Sequence, residues 1–537
     1  MRPLPRPVAF LLRVLEPFAV LFLAGLLFYL GIQSERTGFV REVLDPGLKR
    51  IALPVLNALR GSPPDSHGLQ LLIEPEAMDS LGAMRERALK AGVLNEGKDT
   101  WFPARIVWQG DTLGARLRLK GGLTDHLRTR KWSMRVQLLE GDTVLGMTTF
   151  SLQHPNTRNF TNEWIFHEAL RDQDLPHLLY EFTEVRLNER DLGLFAVEQH
   201  FDTTLTTRLG LGHAPILKFD DEARIGSLEQ MNERIFPSTA PYEGEWLAAP
   251  VEAFHMKEVM EAPLRKAAFS KAALALEAFR QRKRSTHEVF DVQALARLFA
   301  LADLLGAQHC TDWRNLRFVP DPATGLLLPI GFDANAGEPI PAIRAFREQG
   351  PIHFDTQATG FYDRLFSDPL FLRAYVAHVD TLSQEGWLED LLERLNDRLQ
   401  ERVRLVQREF PNFRHDVAVF QHDRVVMRQA LRPMNIALAY LQERKGATAL
   451  VSGTVPHGLP VEVGAITAGP DTVVFHTPFM LLPRASGEPM AFQPFEVPWP
   501  KGPGKVRLLV RIPGLKEWTT IPVRDWAVVP SEEARMP

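Results

Sequence analysis

The stretch that decides the fold is Cys310–Gly337, CTDWRNLRFVPDPATGLLLPIGFDANAG. It contains two apolar runs that are rich in strand-forming residues, Leu316–Val319 and Leu326–Phe332. Between them stand Asp321, Pro322, Thr324 and Gly325, residues that favour tight turns. This pattern predicts a β-hairpin.

Acidic residues stand at both ends of the predicted hairpin. Because a hairpin brings its ends together, we expect Asp312 and Asp333 to lie side by side, with Asn315 close by. Phosphoryl transfer requires such a cluster: one carboxylate orients the attacking hydroxyl, while a second carboxylate and an amide oxygen hold Mg²⁺ against the nucleotide phosphates. The alternative is ordinary turn chemistry, since an Asp that ends a strand is commonly a turn residue.

A series of short motifs precedes and includes this stretch. In order they are Lys131–Ser133, Gly146–Leu152, Thr157–Trp164, Glu184–Phe195, Glu198–Asp202, Asp312–Asn315 and Ile330–Asp333. In this order they resemble the CotH kinase family, the secreted atypical protein kinases named after spore coat protein H. The resemblance implies a kinase that uses ATP with Mg²⁺ or Mn²⁺ and phosphorylates Ser or Thr of a protein substrate.

The resemblance also implies roles for the acidic motifs. Asp312 would be the catalytic carboxylate, and Asn315 and Asp333 would bind the metal. Two departures stand out: only two residues separate Asp312 from Asn315, and Ala-Asn-Ala-Gly follows Asp333, which leaves Asn335 as a further oxygen ligand. Arg314 would bind a phosphate or pair with Asp312.

The resemblance further suggests which residues hold the nucleotide. A small-lobe lysine contacts the phosphates in kinases and is held by a helix carboxylate. We choose Lys131 for this role, with Lys120 and Lys218 as alternatives. As its partner we choose Glu163 over Glu168, although Glu163 is also placed to interact with a helix dipole.

The end of the second predicted small-lobe hairpin would form the hinge beside the nucleotide base. Glu198 is the candidate there, and Asp202 follows it. The alternative is a charged and exposed connector.

Composition excludes several classes of protein. The chain has 537 residues, of which 45% are hydrophobic and 24% charged, and its net charge of −4 does not indicate a nucleic-acid partner. One cysteine, Cys310, rules out an intramolecular disulfide and a zinc site built on several cysteines. Neither an HExxH motif nor a Gly-x-Ser-x-Gly elbow occurs, so hydrolase functions have little support.

The amino terminus suggests a membrane anchor. Arg2, Arg6 and Arg13 precede the uncharged run Pro17–Ile32. We expect an uncleaved transmembrane helix that places the amino terminus in the cytoplasm. A cleaved signal peptide is the alternative. The scarcity of cysteine favours a bacterial periplasmic or cell-surface domain. Together with the anchor, this predicts a single-pass protein of the bacterial inner membrane, with most of the chain periplasmic or extracellular.

The pattern of predicted elements divides the chain into five parts. We expect a cytoplasmic stub and anchor (1–34), a connector (35–68), a β-rich small lobe (69–220), a mainly helical large lobe (221–446) and a small β-sandwich-like domain (447–537). The fold class is therefore predicted as α+β: an atypical two-lobed kinase-like domain after a transmembrane helix, with a carboxyl-terminal all-β domain.

Two functions follow from this reading. The first is a membrane-anchored extracytoplasmic protein kinase. The second is an inactive kinase-like scaffold that binds a protein or glycan through its carboxyl-terminal domain. Nucleotidyl transfer remains open as well, since it uses the same metal and carboxylates.

Overall fold

The computed structural model describes residues 29, 31, 68–94, 100–122, 124–221, 245–347, 350–351, 360–483 and 491–526. These residues form a mixed α/β structure. The described helices are α1 Pro75–Ala91, α2 Thr161–Asp172, α3 Thr203–Arg208, α4 Glu245–Ala248, α5 Met256–Glu261, α6 Pro263–Arg280, α7 Thr286–Val289, α8 Val292–Leu304, α9 Phe361–Phe366, α10 Pro369–Leu382, α11 Trp387–Glu409 and α12 Ala418–Leu431.

The first seven strands form one closed sheet. They are β1 Leu69–Leu72, β2 Phe102–Trp108, β3 Asp111–Leu119, β4 Met134–Leu138, β5 Thr149–Gln153, β6 Tyr180–Leu187 and β7 Arg190–Gln199. The order is β1-β2-β3-β4-β5-β7-β6, and β6 returns to β1. Closure occurs through the parallel pair β1–β6, while the other neighbours are antiparallel.

Side chains alternate between the two faces of this sheet. The apolar set packs together in a core that includes Leu117, Leu119, Met134, Val136, Phe150, Leu152, Phe195 and Val197. The alternate positions of β3, β4 and β5 carry mainly polar side chains, and β7 adds Glu198 next to the apolar Leu194 and Ala196. Polar residues therefore share the face of the sheet that points away from its apolar core.

The predicted hairpin after α8 is confirmed. β10 Arg317–Pro320 pairs antiparallel with β11 Leu327–Ile330, and Phe318 lies opposite Pro329. Two further strands, β8 Leu217–Phe219 and β9 Val251–Ala253, complete a four-stranded sheet in the order β11-β10-β8-β9. The short pair β12 Phe346–Arg347 and β13 Gly350–Pro351 follows.

The helical region encloses the largest core. In α11, Leu388, Leu391, Leu395, Leu399, Val403 and Val406 are buried at the three-to-four spacing of one helix face. This helix runs beside α2, and α10 packs against α8. Residues 361–409 thus contain the three helices α9, α10 and α11.

A second large sheet ends the described chain. Its strands are β14 Leu438–Lys445, β15 Thr448–Thr454, β16 Val461–Ala468, β17 Asp471–Leu481, β18 Gln493–Pro498, β19 Val506–Arg511 and β20 Thr519–Asp525. The sheet begins at Leu438, before the predicted boundary at residue 447. It is docked on the helices, because Arg373 of α10 pairs with the buried Glu462 of β16, and Leu459 and Ile512 belong to the helical core.

The fold-class and localisation predictions require correction. We predicted a transmembrane helix ahead of a two-lobed α+β domain, and a single-pass protein of the inner membrane. Among the described residues, no helix combines the length and the apolar character needed to cross a membrane, and the architecture there is mixed α/β. The segment that suggested the anchor, residues 1–34, lies outside the described residues except for Tyr29 and Gly31.

Candidate functional site

A row of polar residues crosses the closed sheet on the face opposite its apolar core. The strand register places Arg118 opposite Arg135, Arg135 opposite Ser151, Ser151 opposite Glu198, and Glu198 opposite Tyr180. Directly paired residues in a sheet share one face, so these five side chains are neighbours. The candidate site is built around this polar row.

Lys120 and Glu198 form a buried ion pair at the row. Lys120 Nζ lies 2.8 Å from Glu198 Oε2 and also donates to Gln153 Oε1 at 3.1 Å. Burial lowers the pKa of Lys120. Burial alone would raise the pKa of Glu198, but Lys120 and Arg158 bring it below its ordinary value. The shift at Glu198 favours its ionised form, whereas burial disfavours the charge on Lys120, and the contact with Glu198 offsets part of that cost.

Arg158 and Asp333 form a second ion pair next to the first. Arg158 Nη2 lies 2.7 Å from Asp333 Oδ1, and Arg158 Nη1 donates to Asn335 Oδ1 at 3.3 Å. Arg158 acts on the pKa of Glu198 as well, which places the two ion pairs within electrostatic range of each other. The cluster thus contains two cations and two carboxylates in a largely water-excluded environment.

The loop that carries Asp333 has an unusual backbone. Asp333 and Asn335 adopt left-handed conformations with φ of 56° and 48°, a region that costs energy for residues other than glycine. A side chain on Gly337, which has φ of 90°, would clash with Asn162 at the start of α2. This strained loop is held against α2, which fixes the position of the Asp333 carboxylate.

Glu163 holds the Asp333 loop against α2 through hydrogen bonds. Its carboxylate is completely buried and accepts hydrogen bonds from the backbone N–H groups of Ala334 at 2.9 Å and Ala336 at 3.4 Å. Burial raises the pKa of Glu163 to about 8, although Arg158 and the Ala334 N–H oppose that rise. Glu163 therefore binds backbone amides of the Asp333 loop.

The expected pair between Lys131 and Glu163 is not formed. Lys131 Nζ lies 2.6 Å from Glu409 Oε2 at the end of α11 and donates to the carbonyl of Leu194. Glu409 also accepts from the Leu194 N–H. Lys131 thus joins the closed sheet to α11, and Lys120 is the lysine that meets a carboxylate in the polar cluster.

Two other predicted lysine and hinge candidates have local roles. Lys218 pairs with Asp220 two residues along the chain. Asp202 caps α3 by accepting from the N–H groups of Thr204 and Leu205, and it also accepts from Thr148 Oγ1. Capping satisfies backbone donors that a helix start leaves open.

Asp312 is bound by Arg314. The guanidinium donates through Nε and Nη2 to the two carboxylate oxygens at 2.8 and 2.7 Å. Burial alone would raise the pKa of Asp312, but these bonds hold it below the ordinary value. Asp312 is therefore kept ionised, as a group that accepts a proton from a hydroxyl must be.

His309 connects the two ends of the hairpin. Its Nε2 lies 3.8 Å from Asp333 Oδ1, its carbonyl accepts from Asn315 Nδ2 at 3.0 Å, and its charge acts on the pKa of Asp312. Asp312, Asn315 and Asp333 are thus gathered around one histidine. The side chains of Asp312 and Asp333, which we expected to lie side by side, make no direct contact with each other in the part of the chain that the structure describes.

Sequence reasoning gave no role to Arg158, Gln153 or His309. Arg158 lies inside a motif of the family resemblance, but its spacing from Asp333 gives no local signal because the contact is formed by folding. His309 sits just before the Asp312 motif, and its side chain is exposed enough for 42% of its surface to contact solvent. Its position three residues before Asp312 was the usable signal in the sequence.

A metal ion bound at this site would need ligands from the nucleotide phosphates in addition to those from the protein. Within the described part of the chain, no group of three or more His, Cys, Asp and Glu side chains is arranged to hold a metal ion. Asp333 with amide oxygens of Asn315 or Asn335 supplies hard oxygen ligands of the kind Mg²⁺ prefers, and Mg²⁺ commonly completes its shell with substrate phosphates. Asp333 Oδ1 is buried and lies 2.7 Å from Arg158 Nη2, so a metal ion bound there would have to displace that guanidinium.

Comparison with known proteins adds no family assignment. No protein-family model matches the sequence, and no curated protein matches it.

Proposed function

We propose that this protein is a metal-dependent phosphotransferase of the CotH-like kinase type, which moves the γ-phosphate of ATP to a Ser or Thr hydroxyl of a protein. The observation that carries the proposal is the adjacency of the Lys120–Glu198 and Arg158–Asp333 ion pairs. Two cations there would neutralise phosphate oxygens, and catalysis would consist of positioning and charge stabilisation.

The roles divide between the two parts of the cluster. Lys120, held by Glu198, would contact the nucleotide phosphates. Asp333 would bind Mg²⁺ or Mn²⁺, which supplies charge neutralisation at the transferring phosphoryl group. Asp312, kept ionised by Arg314, would accept the proton of the attacking hydroxyl.

Glu163 has a different role in this proposal from the one its sequence suggested. It would act as a positioning residue, because it holds the backbone of the Asp333 loop through Ala334 and Ala336. A loop with two left-handed residues requires such a restraint to keep one conformation.

A non-catalytic scaffold is the second candidate, and a specific observation favours it. Asp312 is engaged by Arg314 and Asp333 by Arg158, so both acidic groups already have cationic partners. A protein that had lost turnover would keep such pairs for stability. The two candidates differ in whether ATP breaks either pair.

The deciding experiment incubates the protein with ATP labelled at the γ or at the α position, with Mg²⁺ or Mn²⁺. Asp312→Ala and Asp333→Ala are run alongside. Transfer of γ label that both substitutions abolish would establish the kinase. Transfer of α label would mean nucleotidyl transfer. A folded protein that transfers neither label would favour the scaffold.

A further inference from the structure

Arg135 is a buried arginine that forms no ion pair or hydrogen bond of its side chain with the described residues. It lies on β4 in the middle of the polar row and is 7% exposed. Its Nε–H donates to no acceptor, and its guanidinium forms no ion pair with any residue that the structure describes. A buried donor without an acceptor is costly, and Nε is such a donor. Such an arginine is a candidate for binding a ligand.

Unsatisfied polar atoms continue along the same row. Ser151 Oγ, opposite Arg135, is buried without a hydrogen bond, and so is Glu198 Oε1, opposite Ser151. Gln153 Nε2, two residues beyond Ser151, is a further buried donor without an acceptor. Because buried polar groups are normally paired, a run of four such atoms on one sheet face marks a place that a polar ligand or water occupies.

The charge balance at this place selects an anion. Arg118 stands directly opposite Arg135, and Lys120 lies two residues beyond Arg118 on the same face. Glu198 is the facing carboxylate, and Asp202 acts on Arg135 from farther along the chain. Burial and the neighbouring Arg118 lower the pKa of Arg135 to about 9. The Arg158–Asp333 pair nearby is neutral, so Arg118, Arg135 and Lys120 against Glu198 and Asp202 leave an excess of one positive charge among these groups. Like charges placed opposite each other in a sheet are destabilising, and a bound anion would relieve this.

The position of the Arg118 side chain is restrained by an aromatic ring. Its guanidinium packs on the Trp101 ring with a centroid distance of 5.3 Å. The planar fork of arginine is suited to phosphate oxygens, which it binds with two parallel hydrogen bonds.

We propose that Arg135 and Arg118 form a phosphate-binding subsite that extends the Lys120 site and receives the polyphosphate chain of the nucleotide. This inference rests on the proposed function, since it names the part of the nucleotide that the polar row would bind. Ser151 Oγ and Gln153 Nε2 would donate to the remaining phosphate oxygens, and Glu198 would stay paired with Lys120.

The test uses binding rather than turnover. Isothermal titration calorimetry measures the affinity of the full chain for tripolyphosphate, ADP and adenosine, with Arg135→Met and Arg116→Met as variants. Arg116 is the matched control, because it lies on β3 near the row but is exposed and donates to Gln137. Loss of charge-assisted hydrogen bonds should weaken tripolyphosphate binding by about tenfold to a hundredfold in Arg135→Met. Arg116→Met should stay within about twofold of the wild type, since single surface phosphate contacts contribute little.

Thermal unfolding without ligand separates binding from structure. An unpaired buried charge destabilises the free protein, so Arg135→Met should unfold at the same or a higher temperature than the wild type. A wild type that does not bind tripolyphosphate, or an Arg135→Met variant with unchanged affinity, would overturn the subsite. If Arg135→Met does not fold, the affinities of Arg135→Gln for tripolyphosphate, ADP and adenosine are measured instead, and the same outcomes apply.

The subsite and the kinase can fail separately. Tripolyphosphate binding that depends on Arg135, in a protein that transfers no γ-phosphate, would keep the subsite and reject the kinase. Transfer of γ-phosphate with the KM for ATP unchanged in Arg135→Met would keep the kinase and reject the subsite.

Discussion

Arg158 and Asp333 connect the turn before α2 to the loop after β11, with 2.7 Å between Nη2 and Oδ1. Arg158 is 6% exposed, and the charge of Asp333 raises its pKa above its already high ordinary value. A nucleotide-bound metal at Asp333 would compete with this arginine. The pair is therefore the point at which ligand binding and the resting arrangement of the site are coupled.

Asp333→Asn tests the metal role of this carboxylate. We expect Mg²⁺-dependent binding of ADP to fall at least tenfold, since no group of three or more His, Cys, Asp and Glu side chains among the described residues could hold the metal instead. The circular dichroism spectrum should stay close to that of the wild type. Titration with and without Mg²⁺ measures the effect. Asp321→Asn, in the turn of the same hairpin, is the control and should bind normally. Equal affinity in Asp333→Asn would contradict the assignment.

Lys120→Met and Lys131→Met separate the two lysines. Lys120→Met should reduce phosphate transfer by at least a hundredfold, because it removes the cation paired with Glu198. Lys131→Met should retain transfer but lose about 1–3 kcal/mol of unfolding free energy, since it breaks the contact with Glu409. Labelled-ATP assays and urea denaturation measure the two effects. The reverse outcome would return the nucleotide role to Lys131.

Glu163→Gln tests the pH dependence of stability. The pKa of Glu163 is raised from 4.5 to about 8, chiefly by burial. The native state therefore holds a proton that the unfolded state releases, so the stabilisation is complete below pH 4.5 and is lost as the pH rises through about 8. Urea denaturation at several pH values should show a flatter stability profile for Glu163→Gln. Parallel profiles for the two proteins would refute this cause.

Glu462→Ala tests the docking of the last sheet. Glu462 is buried and accepts from Arg511 at 2.8 Å while pairing with Arg373 of α10. Its removal leaves two arginines without a counter-charge, and breaking a buried pair costs about 3–5 kcal/mol. Glu443→Ala is the control, because its pair with Lys445 is exposed and such pairs contribute about 0–1 kcal/mol. Equal unfolding midpoints for the two variants would mean that the sheet is docked by apolar contacts alone.

This docking also limits truncation experiments. A cut after residue 447 would divide the hairpin of β14 and β15, in which Lys445 pairs with Thr448. It would also remove Leu459 and Ile512 from the helical core. Loss of activity in such a truncation would therefore report misfolding as well as loss of a partner surface.

Local features of the fold could be predicted from the sequence. The β10–β11 hairpin follows from two strand-forming runs around a turn sequence, and α11 follows from apolar residues at helical spacing. Both signals lie within about 25 residues of chain, where periodicity and turn chemistry act directly. The closure of the first sheet through β1 and β6 is a long-range pairing that no such pattern encodes.

The candidate site was harder to predict for the same reason. Lys120 and Lys131 both stand at strand ends, and only the fold shows that one meets Glu198 and the other Glu409. Glu163 was placed correctly in a helix start, but its partners are backbone amides, which carry no sequence signal. Side-chain identity restricted the candidates, whereas tertiary contacts decided between them.

Closure of the first sheet depends on a strand of only four residues. β1 is hydrogen-bonded to β2 on one side and to β6 on the other. Without it, both neighbours would present unpaired backbone groups, which are templates for pairing with another chain. The same short strand, supplied by a second molecule, would satisfy those groups equally well, so β1 is also the element through which two copies could exchange strands. As long as β1 stays paired within its own chain, it covers the edges of β2 and β6 and so prevents another molecule from pairing with them.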